Sequence, residues 1–181
     1  MYFVFDPATG RGGDGAFYPN SFLRLGEFAD GTSNTLLTAE VKAWQPYTRN
    51  GGPPQTRAPA TGAEAATLVA SGTEFKDTGH TEWPDGRVHH TGFTAALTPN
   101  SRTPFTFQNQ MLDADYNSWQ EGLNGRAGRA TYAVITSRSF HPEMVHVALV
   151  DGSVRPVSGT IERSVWQALA TRNGGETVTW R

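Results

Sequence analysis

The stretch "SFHPEMVHVALVDGSVRPVSG", Ser139–Gly159, decides the fold. Val145, Val147 and Leu149 alternate with His146, Ala148 and Val150, which is the period of two that marks a strand. Asp151-Gly152 supplies turn chemistry, and a second apolar run follows it. A two-residue type I′ turn suits this pair, with positive φ at both residues. That register sets Leu149 against Val154 and Val147 against Pro156. A slip of one residue would send the apolar side chains to opposite faces. Pro156 has no N–H to give to a ladder, so its strand is expected at a sheet edge or at its own end.

Working outward, "SGTIERSVWQALATRNGG" reads as a helix. Thr160 is the expected N-cap, and Ile161, Val165, Ala168 and Leu169 recur at the spacing of one buried face. Arg172 suits the last turn and Asn173-Gly174 the C-cap, with Val178 and Trp180 available for a closing strand. Upstream, "TYAVITSRSF" is rich in strand formers. Pro84-Asp85-Gly86 signals a tight turn, and Arg87–Phe93 and Ala95–Thr98 read as strands. "MLDADYNSWQEGLNGRAGRA" reads as a polar connection. Residues 45–66 hold Pro46, Gly51, Gly52, Pro53, Pro54 and Pro59, which predicts a long surface loop. A short helix is expected at Ala63–Ala70. "MYFVF" opens the chain as an aromatic strand, and a glycine-rich loop follows it without phosphate-binding context. Asp30-Gly31 is a turn, with Thr32 or Ser33 as a cap for a helical turn. Leu36, Leu37, Ala39 and Val41 then form a buried strand. Glu40 inside that run is either paired or faces solvent at an edge.

The 181 residues fit a single domain, 1–181, of β-rich α+β class, with an antiparallel sheet, a C-terminal hairpin and a few short helices. The net charge of -2 comes without a basic cluster, which speaks against a nucleic-acid partner. Zero cysteines exclude disulfides, thiolate metal sites and a cysteine nucleophile. No stretch reaches the roughly 20 apolar residues of a membrane helix, and no targeting segment is visible, so no membrane contact is expected from this chain.

Several groups of residues carry chemistry on paper. His80, Glu82, Asp85, His89 and His90 are ligand types for zinc, and three of them with a water would make a metal-dependent hydrolase. Their spacing matches no helical zinc motif, and on a strand His89 and His90 would point to opposite faces. Asp113, Asp115, Asn117 and Glu121 offer alternating oxygens to calcium, although the EF-hand spacing is wrong. No other cofactor is expected. Trp44, Trp83, Trp119 and Trp166 suggest a glycan-binding platform, with Trp166 better placed on a helix face. Ser137, Ser139 and Ser153 lack a nucleophile elbow. His141 and Asp151 would make a base and its orienting carboxylate. Ten residues of strand, however, separate them by roughly 30 Å. They are expected to bracket a strand instead.

Three blocks of this sequence resemble the prepilin-like domain of unknown function 1559, a family abundant in planctomycete bacteria. The first is His141, nine residues, then Asp151-Gly152. The second is "LGEFADGTSNTLLTAE", which holds Asp30, Gly31, Thr32 and Asn34. The third is "GHTEWPDGRVHHTGFTAALTPN". The resemblance implies a pseudopilin-like, non-enzymatic globular head, exported to the cell surface or periplasm. Its partners would be other pilin-like subunits or cell-surface components. It also implies an N-terminal prepilin helix that this chain lacks, and structural roles for the motif residues. "HPEMVH" departs from the family's His-Pro-Gly-Gly-Val-Asn.

Overall fold

A computed structural model describes residues 2–52, 55–120, 122–123, 128–176, 178 and 180. The fold is α+β and β-rich. Its largest sheet contains β1 (Phe3–Asp6), β2 (Arg11–Gly12), β4 (Gln45–Arg49), β5 (Glu74–Gly79), β8 (Asp115–Asn117) and β9 (Thr131–Val134), in the order β2-β1-β9-β8-β4-β5. A second sheet has the order β11-β10-β3, from β3 (Leu36–Ala39), β10 (Met144–Leu149) and β11 (Val154–Ser158). β6 (Pro104–Phe107) and β7 (Gln110–Asp113) form a two-stranded ribbon. The strand pairs are antiparallel with one exception among the described residues. β4 and β8 run parallel, and the crossover between them carries β5 and the ribbon.

The C-terminal hairpin forms with a different turn. Only Gly152 has positive φ, at 84°, so the turn is not type I′. Gly152 N–H bonds Leu149 O at 2.9 Å, and Leu149 N–H bonds Ser153 O at 2.9 Å. This is a three-residue loop closed by a left-handed glycine. The extra loop residue moves the register by one, so Val147 pairs with Arg155 and His146 with Pro156. Val145 and Val157 face each other in the core, while Val154 is left exposed. Pro156 does lie on the edge strand.

Among the described residues, two clusters fill the interior. Helix α1 (Gly62–Ser71) is capped by Thr61 Oγ1, which accepts from Glu64 N–H at 3.2 Å, a bond of the kind worth about 1 kcal/mol. It lays Ala65, Leu68 and Val69 against Tyr116 and Val134 of the large sheet and against the adjoining Tyr2 and Ala114. Helix α3 (Arg163–Leu169) lays Trp166 and Leu169 against Leu36, Val145, Val147, Leu149 and Val157 of the small sheet. The irregular strap Ala95–Leu97 belongs to both clusters, with Ala95 in the second and Ala96 and Leu97 in the first. Arg163 fastens this join by donating to Ala96 O and Pro59 O, both at 3.0 Å.

Several local expectations change. Residues 45–66 are not one long loop. β4 occupies Gln45–Arg49 inside the large sheet, with Tyr47 and Thr48 each 1 % exposed. Pro46 is accommodated because the ladder to β5 shifts register between Gln45 and Tyr47. Pro53 and Pro54 lie outside the described residues. The polar connection contains β7 and β8, and Ala95–Thr98 is a bend rather than a strand. Arg87–Phe93 contains the helical turn α2 (Val88–Thr91), because Arg87 O accepts from the N–H groups of His90 and Thr91. No helical turn follows Thr32 or Ser33. Thr160 sits in a turn where Ser158 accepts its N–H, so α3 is preceded by Glu162 instead. Val178 and Trp180 pack on the second cluster without forming a strand.

Candidate functional site

The two motif loops interlock at one end of the small sheet. Asp151 N–H donates to Thr32 O and Val150 N–H to Thr35 O, both at 3.0 Å. Gly31, at φ 95°, turns the chain into β3, and its carbonyl accepts from Asn34 N–H and Thr35 Oγ1. Asn34 Nδ2 reaches back to Asp30 O at 3.1 Å. The Asp30 carboxylate accepts from the N–H groups of Gly174 and Gly175, both at 2.8 Å, and from Thr171 Oγ1 at 3.2 Å. Asp30 thus holds the segment that leaves α3. Asp151 Oδ1 accepts from Ser153 N–H at 2.9 Å inside its own turn. These residues tie backbone to backbone.

His141 finds its partner at the other end of β10. Ser139 Oγ accepts from His141 N–H at 3.0 Å and donates to Met144 O at 2.6 Å. Glu143, at φ 53°, completes this tight turn, which folds His141 back over His146. The two rings cross at 84° with centroids 4.8 Å apart. Between them stands Glu40. Its Oε1 is 3.3 Å from His141 Nε2, and its Oε2 is 3.4 Å from His146 Nδ1. Glu40 is fixed on all sides. Its N–H donates to His146 O, its carbonyl accepts from Arg138 N–H and Ser137 Oγ, and its Oε2 accepts from His146 N–H at 2.7 Å. Burial pushes the Glu40 carboxyl up. The His146 N–H and the two imidazoles outweigh it and hold the group below the usual carboxylate range. Sequence reading left Glu40 open between pairing and an edge, and it did not join residues 40, 141 and 146. The available signal was a carboxylate inside an apolar strand, with its partners roughly a hundred positions away.

The middle segment makes a second, more buried group around α2 and the large sheet. His89 stacks on Tyr47 with centroids 4.8 Å apart and accepts at Nδ1 from Asn117 Nδ2 at 2.9 Å. His80 Nδ1 lies 3.1 Å from His90 O. Burial pushes both imidazoles down, His80 to about 4 and His89 to about 3, so both are neutral at pH 7. Because His89 and His90 share one helical turn, both become buried rather than facing opposite ways. The carboxylates converge on His90 alone. Glu82, Asp85 and His90 place donor atoms within 4.8 Å of one another, and Asp85 also pairs with Arg87.

The oxygens considered for calcium have other partners. Arg138 holds Asp113 through Nε and Nη2, both at 3.1 Å, and Asp115 through Nη1 at 2.6 Å. Asn117 meets His89, and Glu121 lies outside the described residues. The tryptophans diverge in setting. Trp44 and Trp83 are exposed, Trp119 is half-buried beneath Arg129, and Trp166 is fully buried. A groove of about 850 Å³ opens between the N-terminal loop and β3, lined by Phe3, Phe17, Tyr18, Leu36, Val88 and Phe93 among others. None of Asp30, Thr32, Asn34, His141 or Asp151 lines it.

No curated protein and no solved structure matches this chain. A family model does match, over residues 2–164, which takes in all three motif blocks. The chain belongs to the family described as a protein of unknown function (DUF1559).

Proposed function

We propose that this chain is the non-enzymatic globular head of an exported, pilin-like surface protein that serves assembly or adhesion. One observation carries the reading. Thr32 O and Thr35 O tie the two motif loops together through the Asp151 and Val150 N–H groups, while Gly31, Asn34 and the Asp151 carboxylate bond within their own loops and Asp30 holds the segment after α3. Such residues set a shape and a register. The large groove lies apart from them and is walled by aromatic and aliphatic side chains, with Phe17 70 % exposed at its rim. An apolar groove of this kind suits a neighbouring protein surface. Family membership and the β-rich fold are consistent with this role.

The test uses the complete gene expressed in its own host. Antibodies raised against the purified chain should label intact cells. A photo-crosslinking residue at Phe17 should trap a neighbouring subunit or surface component. Label confined to the cell interior would remove the export reading. Surface label without crosslinks at Phe17 would remove the groove as the contact.

A further inference from the structure

Glu40, His141 and His146 come from three separate segments, yet their donor atoms all lie within 4.8 Å of one another. The spacing is informative. A charge-assisted hydrogen bond between imidazole and carboxylate closes to about 2.7–2.9 Å. Here the two contacts stand at 3.3 and 3.4 Å. Each imidazole thus stands beside its own Glu40 oxygen, and one donor atom from each residue lies within 4.8 Å of the other two. Small side-chain rotations close that set to the about 3.4 Å that separates ligands about 2.0–2.1 Å from a shared tetrahedral ion. The carboxylate is held by the His146 N–H, and the Glu40 carbonyl by Ser137 Oγ and Arg138 N–H, so the residue does not depend on either imidazole for its position. Side-chain exposures of 35 % for Glu40, 50 % for His141 and 41 % for His146 leave a face open for a further ligand. Lys42 does not compete, because its ammonium lies over the Phe140 ring at 4.4 Å.

We propose that Glu40, His141 and His146 bind a divalent late transition-metal ion of the zinc class. Two imidazoles and one carboxylate suit zinc, copper or nickel better than calcium or magnesium. The ion clamps the Ser139–Met144 turn to the end of β3. Its open position accepts water or a side chain from another molecule. The site lies outside the large groove. It is independent of the assembly reading.

The test is calorimetric titration of the chelator-treated chain with Zn²⁺, with Ca²⁺ and Mg²⁺ as comparisons. One Zn²⁺ should bind per chain, and it should raise the melting temperature. Loss of an outer-shell partner already weakens metal sites by about 10–100-fold, so His141→Ala and Glu40→Gln should each weaken binding at least tenfold. His90→Gln should leave it unchanged. His141 is half exposed on a turn, so its variant should keep the wild-type circular dichroism. Should either variant misfold, the wild type decides alone. Zn²⁺ should then shift the ¹⁵N resonances of His141 Nε2 and His146 Nδ1 and leave those of His80 and His89 in place. No Zn²⁺ binding by the wild type, binding unaffected by His141→Ala, or binding abolished by His90→Gln would each overturn the proposal.

Discussion

In the β11-β10-β3 sheet the buried side chains are almost all apolar, with Leu36, Val145, Val147, Leu149 and Val157 under Trp166 and Leu169. In the six-stranded sheet the central strands bury Thr48, Asp115, Asn117 and Thr131 beside Tyr47, Tyr116 and Val134. The first region is held by the removal of apolar surface from water. The second must also find partners for the polar groups it encloses, and it does so for most of them, with Asn117 Oδ1 and His89 Nε2 left without one among the described residues. Thr48 Oγ1 donates to Val69 O at 2.6 Å, joining β4 to α1. Arg138, 3 % exposed, answers Asp113 and Asp115 and also donates to Thr136 O and Ser101 O. One arginine thus gathers the ribbon, β8 and the segment after β9. The lesson is that polar sequence can sit at the centre of a sheet when a single cation organises it.

That contrast is broken most severely at Arg138. Arg138→Ala leaves Asp115 buried and unpaired, and removing one partner of a buried pair costs about 3–5 kcal/mol. Urea denaturation should register that loss, and a loss under 1 kcal/mol would mean the network is not a keystone. The apolar cores come next. Trp166→Ala should cost about 3–5 kcal/mol and Leu68→Ala about 2–5 kcal/mol. Because Ala95–Leu97 and Arg163 tie the clusters together, both variants should melt in one shared transition. Two separated calorimetric peaks would show instead that the regions fold apart.

The same contrast explains what could be read from the sequence. The hairpin and α3 were legible because their buried residues recur at periods two and 3.6 over a continuous stretch. Even there the register was missed by one. Asp-Gly is compatible with two loop lengths. β4 and β8 were not legible. Gln45–Arg49 and Asp115–Asn117 carry proline, charge and amide, and their partners lie tens of residues away. Pairing of His141 with Glu40 was hidden for the same reason, since it depends on a turn closed by Ser139 and on strand order.

Acid should lower the stability of the whole fold through histidines of the large-sheet region. The folded state keeps His80 and His89 neutral, with burial pushing them to about 4 and about 3. The unfolded chain takes up these protons near pH 6.5. Their contribution is therefore complete above pH 6.5 and is lost as the pH falls toward the folded values. For His89, 1 % exposed, the loss between pH 6.5 and 5 is on the order of 1.5 kcal/mol. Asp115, pushed up by burial, works in the opposite sense. The histidine share is thus read as the difference between wild type and His89→Gln, whose stability should fall less steeply over that window. Equal slopes would show that His89 is not buried neutral. The smallest effect belongs to the hairpin. Gly152→Ala meets open space but keeps φ at 84°, so it should cost about 1 kcal/mol in thermal denaturation. A neutral result would return the turn to another geometry.

The strap through Ala95–Leu97 has a consequence for backbone dynamics. Irregular segments ordinarily exchange their amide hydrogens quickly through local opening. This one lies between the two clusters, with Ala95 and Ala96 no more than 1 % exposed. Just before it, Thr94 N–H bonds Ile135 O while Ile135 N–H bonds Thr94 Oγ1. To open it, both clusters must part. In deuterated water the Thr94 and Ile135 amides should therefore be among the last to exchange, although no strand or helix contains them.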